Sequence, residues 1–155
     1  MAPSSRIHPS RTHRDAYTSL KKLSSTVADI AADNDLDPIL LELVQLRASQ
    51  INGCAYCLDI HSRSLAKLGE SPQRIAVLSA WSEAGLYSPR ECAALHLTEA
   101  VTLIHDGQLS DAVYRQATEV FTDEQYAALL WVIVAINAFN RVAIAGRYSI
   151  EPQPS

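Results

Sequence analysis

The sequence predicts an all-α fold in a single domain of six or seven helices. Three observations carry that expectation. Helix start and stop signals recur along the chain, nothing reads as a convincing strand, and no internal repeat or linker divides it. Its 155 residues suit one domain with a sizeable core. Hydrophobic residues at 48% and charged residues at 19% are an ordinary globular balance.

Residues 1–14 read as a flexible Pro/Ser-rich arm, residues 15–148 as the helical domain and residues 149–155 as a tail. The arm gathers Arg6, Arg11, Arg14, His8 and His13 before any acidic residue, and a short arm explains them better than a binding patch. An amphipathic segment over residues 13–33 ends in the polar Asp33-Asn34-Asp35. Asp37-Pro38 is an N-cap followed by proline at the first helical position. The helix it opens is apolar at Ile39, Leu40, Leu41, Leu43, Val44, Leu46 and Ile51, and Asn52-Gly53 stops it.

A second helix runs from about Cys54 to Leu68 and stops at Gly69, and Ser71-Pro72 caps a shorter one ending near Gly85. Ser88-Pro89-Arg90-Glu91 is a capping box opening a helix to about His105, and Ser110 starts another. Thr122 to Gln125 is a second capping box, leading into a long helix toward Gly146. Its stretch Leu129–Ile136 is rich in β-branched residues, but length and cap favour helix over strand. Apolar nearly all round, this helix belongs at the centre of the core or between subunits.

Charge and cysteine usage exclude several classes. A net charge of -4 and a pI near 5.7 argue against a nucleic-acid binder. Residues 1–15 lack the apolar stretch of a secretory signal, and the apolar run Tyr126 to Ile136 is too short to span a bilayer. The expectation is a soluble cytoplasmic protein with no nucleic-acid or membrane partner. Three cysteines do not form a secreted disulfide framework, and CxxC in a reducing compartment signals redox or metal chemistry.

The chemistry-bearing run is C-A-Y-C-L-D-I-H, with Cys54, Cys57 and His61, preceded by Glu42 twelve positions before the first cysteine. At 100° per residue Cys54, Cys57, Leu58, His61, Leu65 and Leu68 share one inward stripe, while Asp59, Ser62, Arg63 and Ala66 lie opposite. Were residues 37–68 one straight helix, Glu42 would lie ~18 Å along the axis from Cys54. The Asn52-Gly53 break lets the two helices fold back as an antiparallel hairpin, which brings Glu42 level with His61. The result is a relay of Glu42, His61 and Cys57, the general form of an activated nucleophile with an oriented base. Against it, Glu42 shares a polar stripe with Gln45 and Ser49, the pattern of a solvated face.

Two effects compete over which thiol attacks. The helix N-terminus stabilises a thiolate at Cys54. His61 lies one turn beyond Cys57, and it alone can supply the proton that a departing peroxide oxygen needs. The second effect favours Cys57 as nucleophile and Cys54 as resolving thiol. Cα atoms one helical turn apart fall within the disulfide range of ~4.4–6.8 Å.

The run Glu42-x11-Cys54-x2-Cys57-x3-His61 resembles the AhpD-like alkylhydroperoxidases of the carboxymuconolactone decarboxylase superfamily. The surrounding L-E-L-V-Q-L-R-A-S-Q-I-N-G-C-A-Y-C-L-D-I-H-S and the later I-N-A-F-N-R (Asn137, Asn140, Arg141) are similar too, over roughly residues 35–145. The resemblance implies an all-helical homo-oligomer, a trimer or hexamer. It implies reduction of organic hydroperoxides through a Cys57 sulfenate and a Cys54–Cys57 disulfide, with no bound metal or flavin. It further implies reduction by a lipoyl group on a partner protein; a thioredoxin-type donor is the other candidate external thiol reductant. Tyr56 stands where such members can carry a histidine, and is a possible accessory residue.

Rival readings remain. Cys54, Cys57, His61 and Glu42 offer four zinc ligands, though all but Glu42 crowd on one short helix without a second ligand pair. Lactone decarboxylation, the superfamily's other activity, does not need CxxC. Protein thiol–disulfide exchange and a structural helical subunit complete the set, while haem attachment is excluded because Leu58 follows Cys57. Cys92 reads as a packed core thiol, and His96 and His105 as structural or exposed. Trp81 and Trp131 read as core or interface, with Trp81 a candidate to line an entrance. Asn137, Asn140 and Arg141 interrupt the most apolar helix, which predicts helix-to-helix or intersubunit hydrogen bonds.

Overall fold

Most of the longer helices begin where a side chain takes up the free N–H groups of the first turn. The computed structural model describes residues 6–152. It contains α1 (Pro9–Thr12), α2 (Arg14–Asp33), α3 (Pro38–Asn52), α4 (Ala55–Lys67), α5 (Pro72–Val77), α6 (Trp81–Ala84), α7 (Pro89–Thr102), α8 (Asp111–Thr118) and α9 (Asp123–Gly146). A 3₁₀ turn, Leu78–Ala80, joins α5 to α6, and there is no strand among the described residues. Seven of these helices have six residues or more; α1 and α6 are single turns.

The caps lie where the sequence put them. Asp37 Oδ1 accepts from the Ile39 N–H at 2.8 Å. Ser88 with Glu91 and Thr122 with Gln125 form reciprocal capping boxes. Gly53 ends α3 in the left-handed region (φ 69°), while the N–H groups of Gly53 and Cys54 donate back to Gln50 and Ser49 carbonyls. That is a Schellman turn, and it reverses the chain between α3 and α4.

Two expected elements are shorter than predicted. The segment from Ser71 to Gly85 breaks into α5, the 3₁₀ turn and α6 instead of one helix. Its pivot is Leu78, fully buried against Leu43, Leu65 and Leu95, so packing overrides local propensity. α7 stops at Thr102, and Leu103 leaves helical geometry (ψ 37°) ahead of a turn through Gly107.

The main core lies between α2, α3, α7, α8 and α9, filled by Val27, Leu40, Val44, Leu97, Leu129 and Ile133. A second cluster, with Leu43, Leu65, Trp81 and Leu95, fastens α4 and the 3₁₀ turn to α3 and α7. α9 is long and apolar enough to cross a membrane by length and composition, which the short run Tyr126–Ile136 understated. One side of it packs on α2, α3 and α7, as a core helix does. Its burial within the chain is one-sided, so it is not central in the core: Trp131 is 50% and Val134 41% exposed. Leu68, assigned to the inward stripe of α4, is also exposed, because the helix has ended beneath it.

The polar residues of α9 are used as predicted for helix-to-helix bonding. Asn52 Nδ2 donates to Asn137 Oδ1 (2.9 Å) and Asn140 Oδ1 (2.8 Å), and Asn140 Nδ2 donates to Ser49 Oγ (3.1 Å). Asn137 also reaches Thr102 on α7. Arg141 folds back on Asn137 of its own helix. Residues 6–14, read from the sequence as an arm, carry α1 and lie against the end of α9. Arg6 donates to the Ala145 carbonyl at 3.2 Å, and the His8 ring stacks on Tyr148 at 4.4 Å.

Candidate active site

The α3–α4 hairpin sets the site. With the chain reversed at Gly53, Glu42 on α3 and His61 on α4 meet, His61 Nδ1 lying 2.7 Å from Glu42 Oε2. A carboxylate only accepts, so Nδ1 carries the proton and Nε2 is the nitrogen left for the cavity. Glu42 Oε1 takes a longer bond from Gln45 Nε2 at 3.4 Å. The polar stripe Glu42-Gln45-Ser49, which had the pattern of a solvated face, points inward: Ser49 is fully buried and bonded to the Gln45 carbonyl and Asn140.

Cys54 and Cys57 are joined as a disulfide, with Cα atoms 5.3 Å apart. Cys54 is the N-cap of α4, its sulfur facing the Cys57 N–H at 3.3 Å. The sulfurs are buried, the residues being 1% and 4% exposed, so each is reached only through an adjoining cavity. A cavity of about 260 Å³ takes Cys57 and His61 from α4, Gln45 from α3, Tyr17 from α2, and Phe139 and Val142 from α9. Ile60 and Ile136 add to its apolar wall, so it suits an organic molecule with one reactive polar end.

Tyr56 and Tyr148 close over the disulfide. Their rings meet edge to face at 5.5 Å and pack on Cys54, Cys57 and Ala143. Tyr148 follows a Schellman turn at the end of α9, in which Arg147 is left-handed (φ 49°) and the Tyr148 N–H donates to Ala143. Gly146 makes room for it: a Cβ there would fall 2.6 Å from the Tyr148 ring. The Tyr148 hydroxyl also bonds Ser10 Oγ. Burial, helped by Tyr148 and Tyr56, raises the Tyr17 phenol above its ordinary value, so it stays a neutral donor in the cavity.

The structure therefore brings together Glu42, His61, Cys57, Cys54 and Tyr56. Sequence reading missed Tyr17, Tyr148 and Phe139: the two tyrosines carry no motif, and Phe139 went unassigned within the I-N-A-F-N-R stretch. Only Gln45, noted as a stripe neighbour of Glu42, was within reach of a spacing argument. Cys92 is a half-buried free thiol, raised by burial and by Glu91. Trp81 is buried and donates to Glu99 Oε1 at 2.8 Å, away from the cavity. His96 bonds Gln116, and His105 is exposed. No three His, Cys, Asp or Glu side chains among the described residues are grouped as a metal site requires.

Comparison with known proteins places this geometry. The chain is 46% identical to the uncharacterized protein YdfG of Bacillus subtilis over 104 residues, 67% of this chain and 71% of that protein. It is 32% identical to the uncharacterized protein YnjA of Escherichia coli over 68 residues, 44% of this chain and 37% of that one. A crystal structure from Agrobacterium tumefaciens superposes with a TM-score of 0.88 at 30% identity, over 97% of this chain and 100% of that one. That protein is of unknown function, suggested to be the antioxidant defence protein AhpD. An uncharacterized peroxidase-related protein from Silicibacter sp. TM1040 shares the fold at 20% identity, with a TM-score of 0.68 over 95% of this chain and 88% of that one. The model of the carboxymuconolactone decarboxylase family matches residues 19–100, more than half of the sequence and the whole α3–α4 hairpin. With an AhpD-like fold and this match, the chain belongs to the carboxymuconolactone decarboxylase family.

Proposed function

We propose that the protein is a thiol-dependent hydroperoxidase that reduces organic hydroperoxides through the Cys54–Cys57 pair. The observation that carries the reading is the His61–Glu42 contact at 2.7 Å, beside a cavity that His61 shares with Cys57. Glu42 holds the imidazole so that Nε2 faces the cavity and takes the Cys57 thiol proton. The Cys57 thiolate attacks the terminal peroxide oxygen, the O–O bond breaks, and His61 returns the proton to the departing alkoxide. Cys57 is then a sulfenic acid. Cys54 attacks it, water leaves, and the disulfide forms. An external thiol donor, lipoyl or thioredoxin-type, returns two electrons and two protons. Tyr56 acts here as a wall of the site and takes no proton.

The largely apolar cavity at Cys57 favours a small organic hydroperoxide over a protein disulfide as the oxidant. Lactone decarboxylation leaves the cysteine pair without a task. The test is a thiol count on the reduced protein: one equivalent of cumene hydroperoxide should remove two of the three thiols and leave Cys92. In Cys57→Ser, peroxide consumption should fall by about a hundredfold or more, as for loss of a nucleophile. Unchanged consumption in that variant would sink the reading.

The reading includes a cytoplasmic setting and a homo-oligomer, trimer or hexamer. The exposed stripe of Ala127, Trp131 and Val134 on α9 supports assembly, since apolar residues repeat there at helical spacing without a cover. Trp131→Glu should lower the mass measured by analytical ultracentrifugation while leaving the circular dichroism of the helices intact.

A further inference from the structure

The two sulfurs border different cavities. Cys57 and His61 line the first, and Cys54 does not. A second cavity, about 350 Å³ and more open to solvent, takes Cys54 and Ala55 from the start of α4, with Arg6 and Arg147 on its rim. Cys57 and His61 are absent from it. Tyr56, Ala143 and Tyr148 line both cavities and form the wall between them.

The number of cations distinguishes the cavities: Lys21, over the Tyr17 ring, lines the first, and two arginines line the second. Arg6 is anchored to the Ala145 carbonyl, and Arg147 stands just past the end of α9. Neither is in an ion pair among the described residues, and no carboxylate lines the cavity. Two guanidinium groups lining the cavity that Cys54 borders favour an anion there.

We propose that the second cavity is the reductant's entry, serving Cys54 alone and selecting thiols that carry a negative charge. The proposal rests on the Cys54–Cys57 pair as the redox centre. Thiolate displacement at a disulfide runs along the S–S line, and which sulfur is attacked is decided by access. A thiolate in the second cavity meets Cys54. Its sulfur bonds Cys54 Sγ, the Cys54–Cys57 bond breaks, and Cys57 leaves as a thiolate that takes up, from solvent, the proton the donor thiol gave up on becoming a thiolate. A second thiol then attacks the reductant's sulfur, releasing Cys54 as a thiol and the reductant as its own disulfide. Two thiols of the donor are oxidised and two of the protein are regained. The hydroperoxide and the reductant thus use separate doors, and neither has to leave before the other binds.

The test uses the full chain, oxidised with diamide so that it does not depend on peroxide. Reduction is followed with mercaptoethanesulfonate, mercaptoethanol and cysteamine, each rate divided by the same thiol's rate on an oxidised peptide of sequence GCAYCL. The expected order is anion, neutral, cation, with a spread of about fivefold per arginine, the Coulomb attraction of one contact pair in water. In the double variant Arg6→Gln/Arg147→Asn, where asparagine tolerates the left-handed backbone, the spread should collapse to about twofold or less. Ala55→Phe, which narrows the second cavity, should slow all three thiols while the far-ultraviolet circular dichroism stays as in the parent. Acid-quenched intermediates should carry the adduct on Cys54 in fragmentation mass spectrometry. No charge order in the parent, an order that survives the double variant, or an adduct on Cys57 would each overturn the proposal. If peroxide does not oxidise the thiols, the hydroperoxidase reading fails, and these arms still decide the door.

Discussion

A carboxylate against an imidazole does what proximity alone does not: it fixes which ring nitrogen carries the proton. Glu42 holds the Nδ1 proton of His61 at 2.7 Å, and this leaves Nε2 to serve the cavity that Cys57 lines. Glu42→Gln keeps an acceptor there but loses the charge. On the proposed mechanism, kcat/KM for hydroperoxide should fall about tenfold to a hundredfold, as for other loss of an orienting partner. The far-ultraviolet circular dichroism should be unchanged. A rate equal to the parent's would make the pair structural only. At this scale the sequence was readable where residues share a helix, since Cys54, Cys57 and His61 follow from α4 spacing alone. Glu42 needed one further inference, the reversal at Gly53. Tyr17 and Tyr148 were invisible, because each reaches the cavity from outside the α3–α4 hairpin, and Phe139 stood without a role inside the I-N-A-F-N-R stretch.

The elements were legible because their ends are written in side chains. Asp37, Ser88, Ser110 and Thr122 cap helices through hydrogen bonds to the first turn, and no packing is needed to foresee them. Where packing decides, the sequence was silent: α5 breaks at the buried Leu78, and only one side of α9 is buried within the chain. The turn at Gly53 links this scale to the site, since it alone reverses α3 onto α4. Its φ of 69° is left-handed, and a Cβ would meet nothing within 4 Å, so Gly53→Ala loses on backbone conformation alone. The cost should be about 1–2 kcal/mol, read as a lower urea midpoint with an unchanged m-value. The Asn52–Asn140–Ser49 bonds run from the same turn to α9, so that the hairpin is tied to the core beside the site.

Over the whole molecule, a bundle of capped helices takes some of its tyrosines partly out of water as it closes, and this bears on how stability responds to alkali. Burial raises three phenols above the ordinary tyrosine value of 10.0: Tyr17, helped by Tyr148 and Tyr56; Tyr87, against the pull of Arg74; and Tyr126, helped by Tyr114. Tyr87 also donates its hydroxyl hydrogen to the Arg74 carbonyl, a bond that the phenolate cannot make. Each phenol keeps its proton to higher pH in the folded chain than in the unfolded one. Between those two values the folded state binds more protons, so the stability of unfolding falls as pH rises. Below pH 10.0 the contribution is complete, and above it stability is lost progressively through the raised folded values. The urea midpoint should therefore hold level up to about pH 9.5 on this account and drop beyond pH 10. Absorbance at 295 nm should show part of the six tyrosines ionising late, and all six together near pH 10 once the chain is unfolded in urea. Six phenols titrating together in the native protein, with a level midpoint, would show that closing the bundle leaves these hydroxyl groups in contact with water.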